Sequence, residues 1–126
     1  MRLLFILLVS AFFSSFTFAQ DLNPAKWNGE IKTLSNNEYE LIFNSTIEEG
    51  WTVYSQKIEG EGPVPTSFTY DANASYQLVG EAVESGGRKE IFDKIFGIKL
   101  AKFYHNAIFT QKIKVNDPEV PIKGYF

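Results

Sequence analysis

Ala107-Ile108-Phe109-Thr110-Gln111-Lys112-Ile113-Lys114-Val115 is the stretch whose reading decides the fold class. Phe109, Ile113 and Val115 fall on one side and Thr110, Lys112 and Lys114 on the other, the period of two expected of a strand with one buried face. Asn116-Asp117-Pro118 then breaks the run, because proline has no amide to give a ladder. Immediately before it, His105-Asn106 suits a hairpin turn that joins it to another apolar run, Ile98 to Tyr104.

The same period extends toward the N-terminus. Trp27, Gly29, Ile31 and Thr33 alternate with Lys26, Asn28, Glu30 and Lys32, which predicts a strand with the odd-numbered side inward. Ser35-Asn36-Asn37 supplies a tight turn, since Asn tolerates the left-handed conformation. Glu38 to Thr46 follows as a second strand with Tyr39, Leu41 and Phe43 inward, and Ile42 interrupts its polar face. Glu48-Glu49-Gly50 turns the chain into the short run Trp51 to Ser55. The Gly/Pro-rich loop up to Pro65 then crosses a sheet edge. Further strands are expected over Thr66 to Tyr70, Tyr76 to Val83 and, beyond Ser85-Gly86-Gly87, Lys89 to Ile91. Short strands separated by frequent turn signals predict an all-β fold, an antiparallel β-sandwich of immunoglobulin type.

The chain of 126 residues is the size of one domain, with 12 Lys+Arg, 15 Asp+Glu, one His and no Cys. A net charge of −3 without a basic cluster removes the electrostatic footprint of a nucleic-acid or anionic-membrane binder. The missing cysteines exclude thiolate chemistry and disulfides within these residues, and a lone His makes a zinc site or a Ser-His-Asp triad hard to assemble. No metal or other cofactor is expected.

Met1 to Ala19 has the form of a secretory signal peptide: Arg2, an apolar run from Leu3 to Val9, and small residues at Thr17 and Ala19 before Gln20. The run is short for a membrane span and is diluted by Ser10, Ser14 and Ser15, so the expectation is cleavage and export of residues 20–126. At the other end, Ile122-Lys123-Gly124-Tyr125-Phe126 has strand composition yet stops without a turn or polar tail. The sandwich is accordingly expected to lack its last strand or two.

Several motifs in fixed order carry a resemblance. Trp27, Gly50-Trp51-Thr52-Val53-Tyr54-Ser55-Gln56, Gly62-Pro63-Val64-Pro65-Thr66-Ser67-Phe68, Tyr76-Gln77-Leu78-Val79-Gly80, Phe109-Thr110-Gln111-Lys112-Ile113-Lys114-Val115 and Ile122-Lys123-Gly124-Tyr125 span nearly the whole exported part. Together they resemble the periplasmic N-terminal domain of the thiol:disulfide interchange protein DsbD family, in its Bacteroidota form. The resemblance implies an immunoglobulin-like domain outside the inner membrane. Such a domain takes electrons from a membrane-embedded domain of the same protein and hands them to periplasmic thioredoxin-fold proteins, among them disulfide isomerases and cytochrome c maturation factors. That exchange needs a Cys pair, which in the family follows shortly after the strand that Gly124-Tyr125-Phe126 begins. As written, the chain lacks the pair and so cannot carry out the exchange.

The resemblance also implies a cap loop, an acidic and aromatic segment ending in Gly that shields the Cys pair. By order along the chain it falls on Asp93-Lys94-Ile95-Phe96-Gly97. Asp93 would be the carboxylate that disfavours a neighbouring thiolate, and Ile95 and Phe96, with Phe92, the lid. Lys94 and Ile95 depart from the family pattern, and Phe92 and Phe96 read equally as core residues of a strand connection.

Other residues have plainer readings. Trp51 and Tyr54 could form a sugar platform, but a Trp at a strand start is more often core. His105 reads as a turn residue, and Glu48, Glu49, Glu59 and Glu61 as solvated carboxylates rather than a glycosidase pair or calcium site. Asn44-Ser45-Thr46 and Asn73-Ala74-Ser75 fit the N-glycosylation pattern, ordinarily unused in a bacterium. The competing class of function is a stand-alone exported module that docks a protein or glycan through its loops, with Trp51, Tyr54 and Phe96 as anchors.

Overall fold

The computed structural model describes residues 22–117 and 124–126. The expected leader over 1–19 and the first residues of the expected terminal strand lie outside them. Every regular element described is a strand and every pairing is antiparallel: β1 (Ala25–Ser35), β2 (Glu38–Ile47), β3 (Val53–Tyr54), β4 (Thr69–Tyr70), β5 (Tyr76–Asp93), β6 (Ile98–Val115) and β7 (Gly124–Tyr125). The all-β expectation holds.

β6 is the spine of a five-stranded sheet. Along one edge it pairs first with β3, through Val53 and Phe103, and then with β2, from Thr46–Asn106 to Glu38–Lys114. β5 lines its other edge, and β1 lies outside β2 as the terminal strand. A second, two-stranded sheet is made by β4 and β7. The β1–β2 turn forms where the Asn pair predicts it, with Asn36 and Asn37 at φ 23° and 66°.

The hairpin β5–β6 is longer and more continuous than the sequence suggests. Ser85-Gly86-Gly87 is not a turn and His105-Asn106 is not a hairpin, because two opposed irregularities let the ladder continue. Residues 80–82 of β5 bulge opposite the single Gln111, and further along 104–106 of β6 bulge opposite the single Gly87. Each adds two residues to one strand, so the register is restored after the second. Gly87 fits only because it lacks a Cβ, which would lie 1.8 Å from the Tyr104 carbonyl oxygen.

The core gathers where the small sheet covers the large one. Ile47, Phe103, Ala107 and Phe109 are buried there, with Trp27, Phe43, Val53 and Phe68 packed against them. Phe68 lies 4.7 Å from the Phe43 ring, 5.1 Å from Phe109 and edge-on to Trp27, and Phe126 comes within 5.1 Å of Trp27. Truncating a fully buried Phe of this kind to Ala costs about 3–5 kcal/mol.

That cover does not extend along the whole of the outermost strands. Ile31 on β1 is 72% exposed and Leu78 on β5 46%, although Leu41 and Ile113, paired with them on the inner strands β2 and β6, are buried; the inward expectation for Ile31 fails because β1 is the terminal strand. The strands expected over Trp51 to Ser55 and Thr66 to Tyr70 shrink to two residues each, and Trp51, expected in the core, is 47% exposed.

Candidate functional site

The cap-loop residues form the tip of the long hairpin, where Lys94–Gly97 turn β5 into β6. Asp93 organises this turn. Its Oδ1 accepts the amides of Ile95 at 2.8 Å and Phe96 at 3.1 Å, while its backbone oxygen accepts the Gly97 amide at 2.7 Å. Gly97 sits at φ +68°, which favours glycine. Oδ2 pairs with Lys102 Nζ at 3.2 Å, and that ammonium lies 5.3 Å from the centre of the Tyr54 ring. β3 therefore supports the tip from beneath, through the Tyr54–Lys102 pairing.

The amide of Phe96, chief among these contacts, and then Lys102 and the amide of Ile95 hold the Asp93 carboxyl below the usual carboxylate range against the opposing effect of burial. Both carboxylate oxygens are committed within the tip. With Asp93 tucked in, the neighbouring apolar side chains turn out: Phe92 is 64% exposed, Ile95 89% and Phe96 41%. The tip is a rigidly anchored apolar knob rather than a strand connection buried in the core.

Of the other singled-out residues, Tyr54 meets the tip through Lys102 and the rest stand apart from it. Trp51 is exposed, Tyr54 has Lys102 over its ring, and Glu48, Glu49, Glu59 and Glu61 are separate exposed groups. His105 is the bulge residue, at φ 67°, and the neighbouring Asn106 Oδ1 accepts the Gly87 amide. Asn73 Oδ1 accepts the Ser75 amide in a local turn. Among the described residues no group of three or more His, Cys, Asp or Glu is placed to hold a metal ion, and no helix is long and apolar enough to cross a membrane.

Sequence reasoning missed Glu84. Its side chain is nearly enclosed, takes the Ser55 hydroxyl at 2.7 Å and the Gln56 amide at 2.8 Å, and meets Arg88 at 3.3 Å. A Glu inside Val83-Glu84-Ser85 carries no signal, because the partners that enclose it, Ser55 and Gln56, are nearly thirty positions away. Nearby, Gln56, Tyr70, Leu78, Glu81 and Gln111 line an open cleft of about 300 Å³ beside the β5 bulge. Gln111 is buried and gives its amide to the carbonyls of Gly80 and Lys112, which ties the bulge to β6.

The chain matches no family model, no curated protein and no solved structure.

Proposed function

We propose that the chain is an exported immunoglobulin-like docking module of the thiol:disulfide interchange type. It would engage periplasmic thioredoxin-fold proteins through the hairpin tip and perform no exchange itself. One observation supports this reading above the others: Asp93 locks the turn so that Phe92, Ile95 and Phe96 stand out of the surface as a preorganised apolar contact. Such a knob suits a partner with a shallow apolar groove around its redox site. In a protein that carried a Cys pair nearby, the same knob would serve as a lid. The leader read over residues 1–19 supports export, and the ordered motifs that resemble the DsbD family support the relay.

The test is calorimetric titration of the chain with a reduced and an oxidised periplasmic thioredoxin-fold protein. Saturable binding is expected, weakened at least tenfold by Ile95→Asp and unchanged by Glu59→Gln. Absence of binding in both redox states, or binding indifferent to Ile95→Asp, would overturn the reading.

A further inference from the structure

Among the described residues no strand pairs with the outer edge of β1, eleven residues long. Open edges are ordinarily blunted by bulges, proline or inward charges. The opposite edge, β5, bulges between Val79 and Val83 and has a further register shift between Gly86 and Arg88, where β6 bulges. β1 has a single irregularity, between Thr33 and Ser35 at its end, and no proline. In the middle of this edge, between the exposed Glu30 and Lys32, stands Ile31, 72% exposed.

We propose that β1 pairs antiparallel with β1 of a second copy of the chain, about a two-fold axis at Ile31 and normal to the sheet. Charge and the exposed isoleucine together select the occupant and the register. With Ile31 opposite Ile31 of the partner subunit, Glu30 of each copy faces Lys32 of the other, giving two opposite-charge pairs beside an apolar pair. Centring on Gly29 would set Lys26 against Lys32 twice, and centring on Glu30 would oppose two carboxylates. Centring on Asn28 would draw Pro24 into the ladder opposite Lys32. Pro24 has no amide to give, and its carbonyl is already bonded to the Glu48 amide. Centring on Asn28 would also set Lys26 against Glu30 twice, but it leaves Ile31 opposite Ala25. The Ile31 register joins complementary charges and places the exposed apolar residue against its own copy. It also makes one sheet continuous across both copies, with β1 no longer an edge.

An edge contact of this size buries little surface, so the dimer is concentration-dependent rather than permanent. The absence of cysteine makes it directly testable. Opposed residues in an antiparallel pair have Cα atoms about 4.5–5.5 Å apart, within disulfide reach. Two copies of Thr33 would sit four positions apart along the ladder, roughly 13 Å, beyond it. Under mild oxidation Ile31→Cys is expected to cross-link at least tenfold faster than Thr33→Cys, and adding Glu30→Lys to Ile31→Cys is expected to suppress the cross-link. Both positions are exposed, and thermal melts verify that each variant stays folded. Sedimentation velocity of the unsubstituted chain should show a monomer–dimer equilibrium. Equal cross-linking at the two positions, or a chain monomeric at every concentration, would overturn the pairing and leave the edge to a different partner.

Discussion

The carboxylate of Glu84 and the hydroxyl of Ser55 lie 2.7 Å apart and fasten the segment following β3 to the first half of β5. Ser55 is fully buried, and its own amide is bonded to the Ala101 carbonyl at 3.0 Å, so this one residue ties β6 and β5 together. Burial pushes the Glu84 carboxyl up, but the Ser55 hydroxyl, the backbone and side-chain amides of Gln56, and Arg88 together outweigh it and leave it below its ordinary value of 4.5. A folded value below the unfolded one means that the stabilisation is complete above about pH 4.5 and is lost as pH falls through the depressed value. Glu84→Gln should cost about 2–3 kcal/mol at neutral pH in urea unfolding, because the Ser55 and Gln56 donors lose a charged acceptor. The same variant should show a flatter acid limb than the parent chain.

Asp93 governs the hairpin tip in a way that can be read without a partner. Asp93→Asn keeps the shape but removes the charge that pairs with Lys102, and Asp93→Ala also removes the acceptor for the Ile95 and Phe96 amides. Amide hydrogen exchange at Ile95 and Phe96 should speed up modestly in the first and at least tenfold in the second, with the β2–β6 ladder unaffected. Because the folded carboxyl titrates below its ordinary range, those amides in the parent chain should lose protection only as pH drops through that depressed value. Protection indifferent to both substitutions would show that the backbone alone holds the turn.

Much of this fold is legible in the residues, and its unreadable parts share a cause. β1, β2, their Asn turn and the Ala107–Val115 stretch of β6 are local features, set by alternation and turn chemistry within a few positions. The continuity of β5 and β6 is not local. Gly86-Gly87 looks like a turn until Tyr104, His105 and Asn106 stand opposite, and only the pairing reveals two bulges that cancel. Ile31 is misread for a related reason: alternation gives its side of the sheet, but its place on the terminal strand, one strand out from the buried Leu41, leaves that side open. At the site, order along the chain brings Asp93, Ile95, Phe96 and Gly97 to one tip, whereas the partnership of Asp93 with Lys102 and Tyr54 depends on the register of β6 with β3.

Tyr70 offers a test from the alkaline side. Its hydroxyl is buried with no hydrogen-bond partner among the described residues, and burial, helped by Tyr76, raises its pKa from 10.0 to about 12. A neutral group whose folded value is raised contributes stability that is whole below pH 10 and is lost as pH climbs toward 12. In an ultraviolet titration of the folded chain one tyrosine should therefore ionise only near pH 12, and Tyr70→Phe should remove that step. Because the hydroxyl has no bond to lose, Tyr70→Phe should be neutral or stabilising by up to about 1 kcal/mol near pH 7.

Gly87 and Gly29 separate the two reasons a strand contains glycine. At Gly87 a Cβ would meet the Tyr104 carbonyl oxygen at 1.8 Å and the Asn106 carbonyl oxygen at 3.3 Å, backbone atoms that cannot rotate away. The Gly87 amide is also bonded to Asn106 Oδ1 at 3.1 Å, so a shift to relieve the clash would break that bond as well. Gly87→Ala should destabilise the chain by about 3 kcal/mol or more, through backbone displacement at the bulge that keeps the β5–β6 register. At Gly29 a Cβ would have nothing within 4 Å, and the residue has no positive φ. Gly29→Ala should therefore be stabilising by about 0.5–1 kcal/mol, from the smaller entropy of the unfolded chain. Urea midpoints of the two variants should move in opposite directions. If Gly87→Ala instead matched Gly29→Ala, the bulge at Tyr104–Asn106 would have room that the described backbone lacks, and the continuity of the long hairpin would need another explanation.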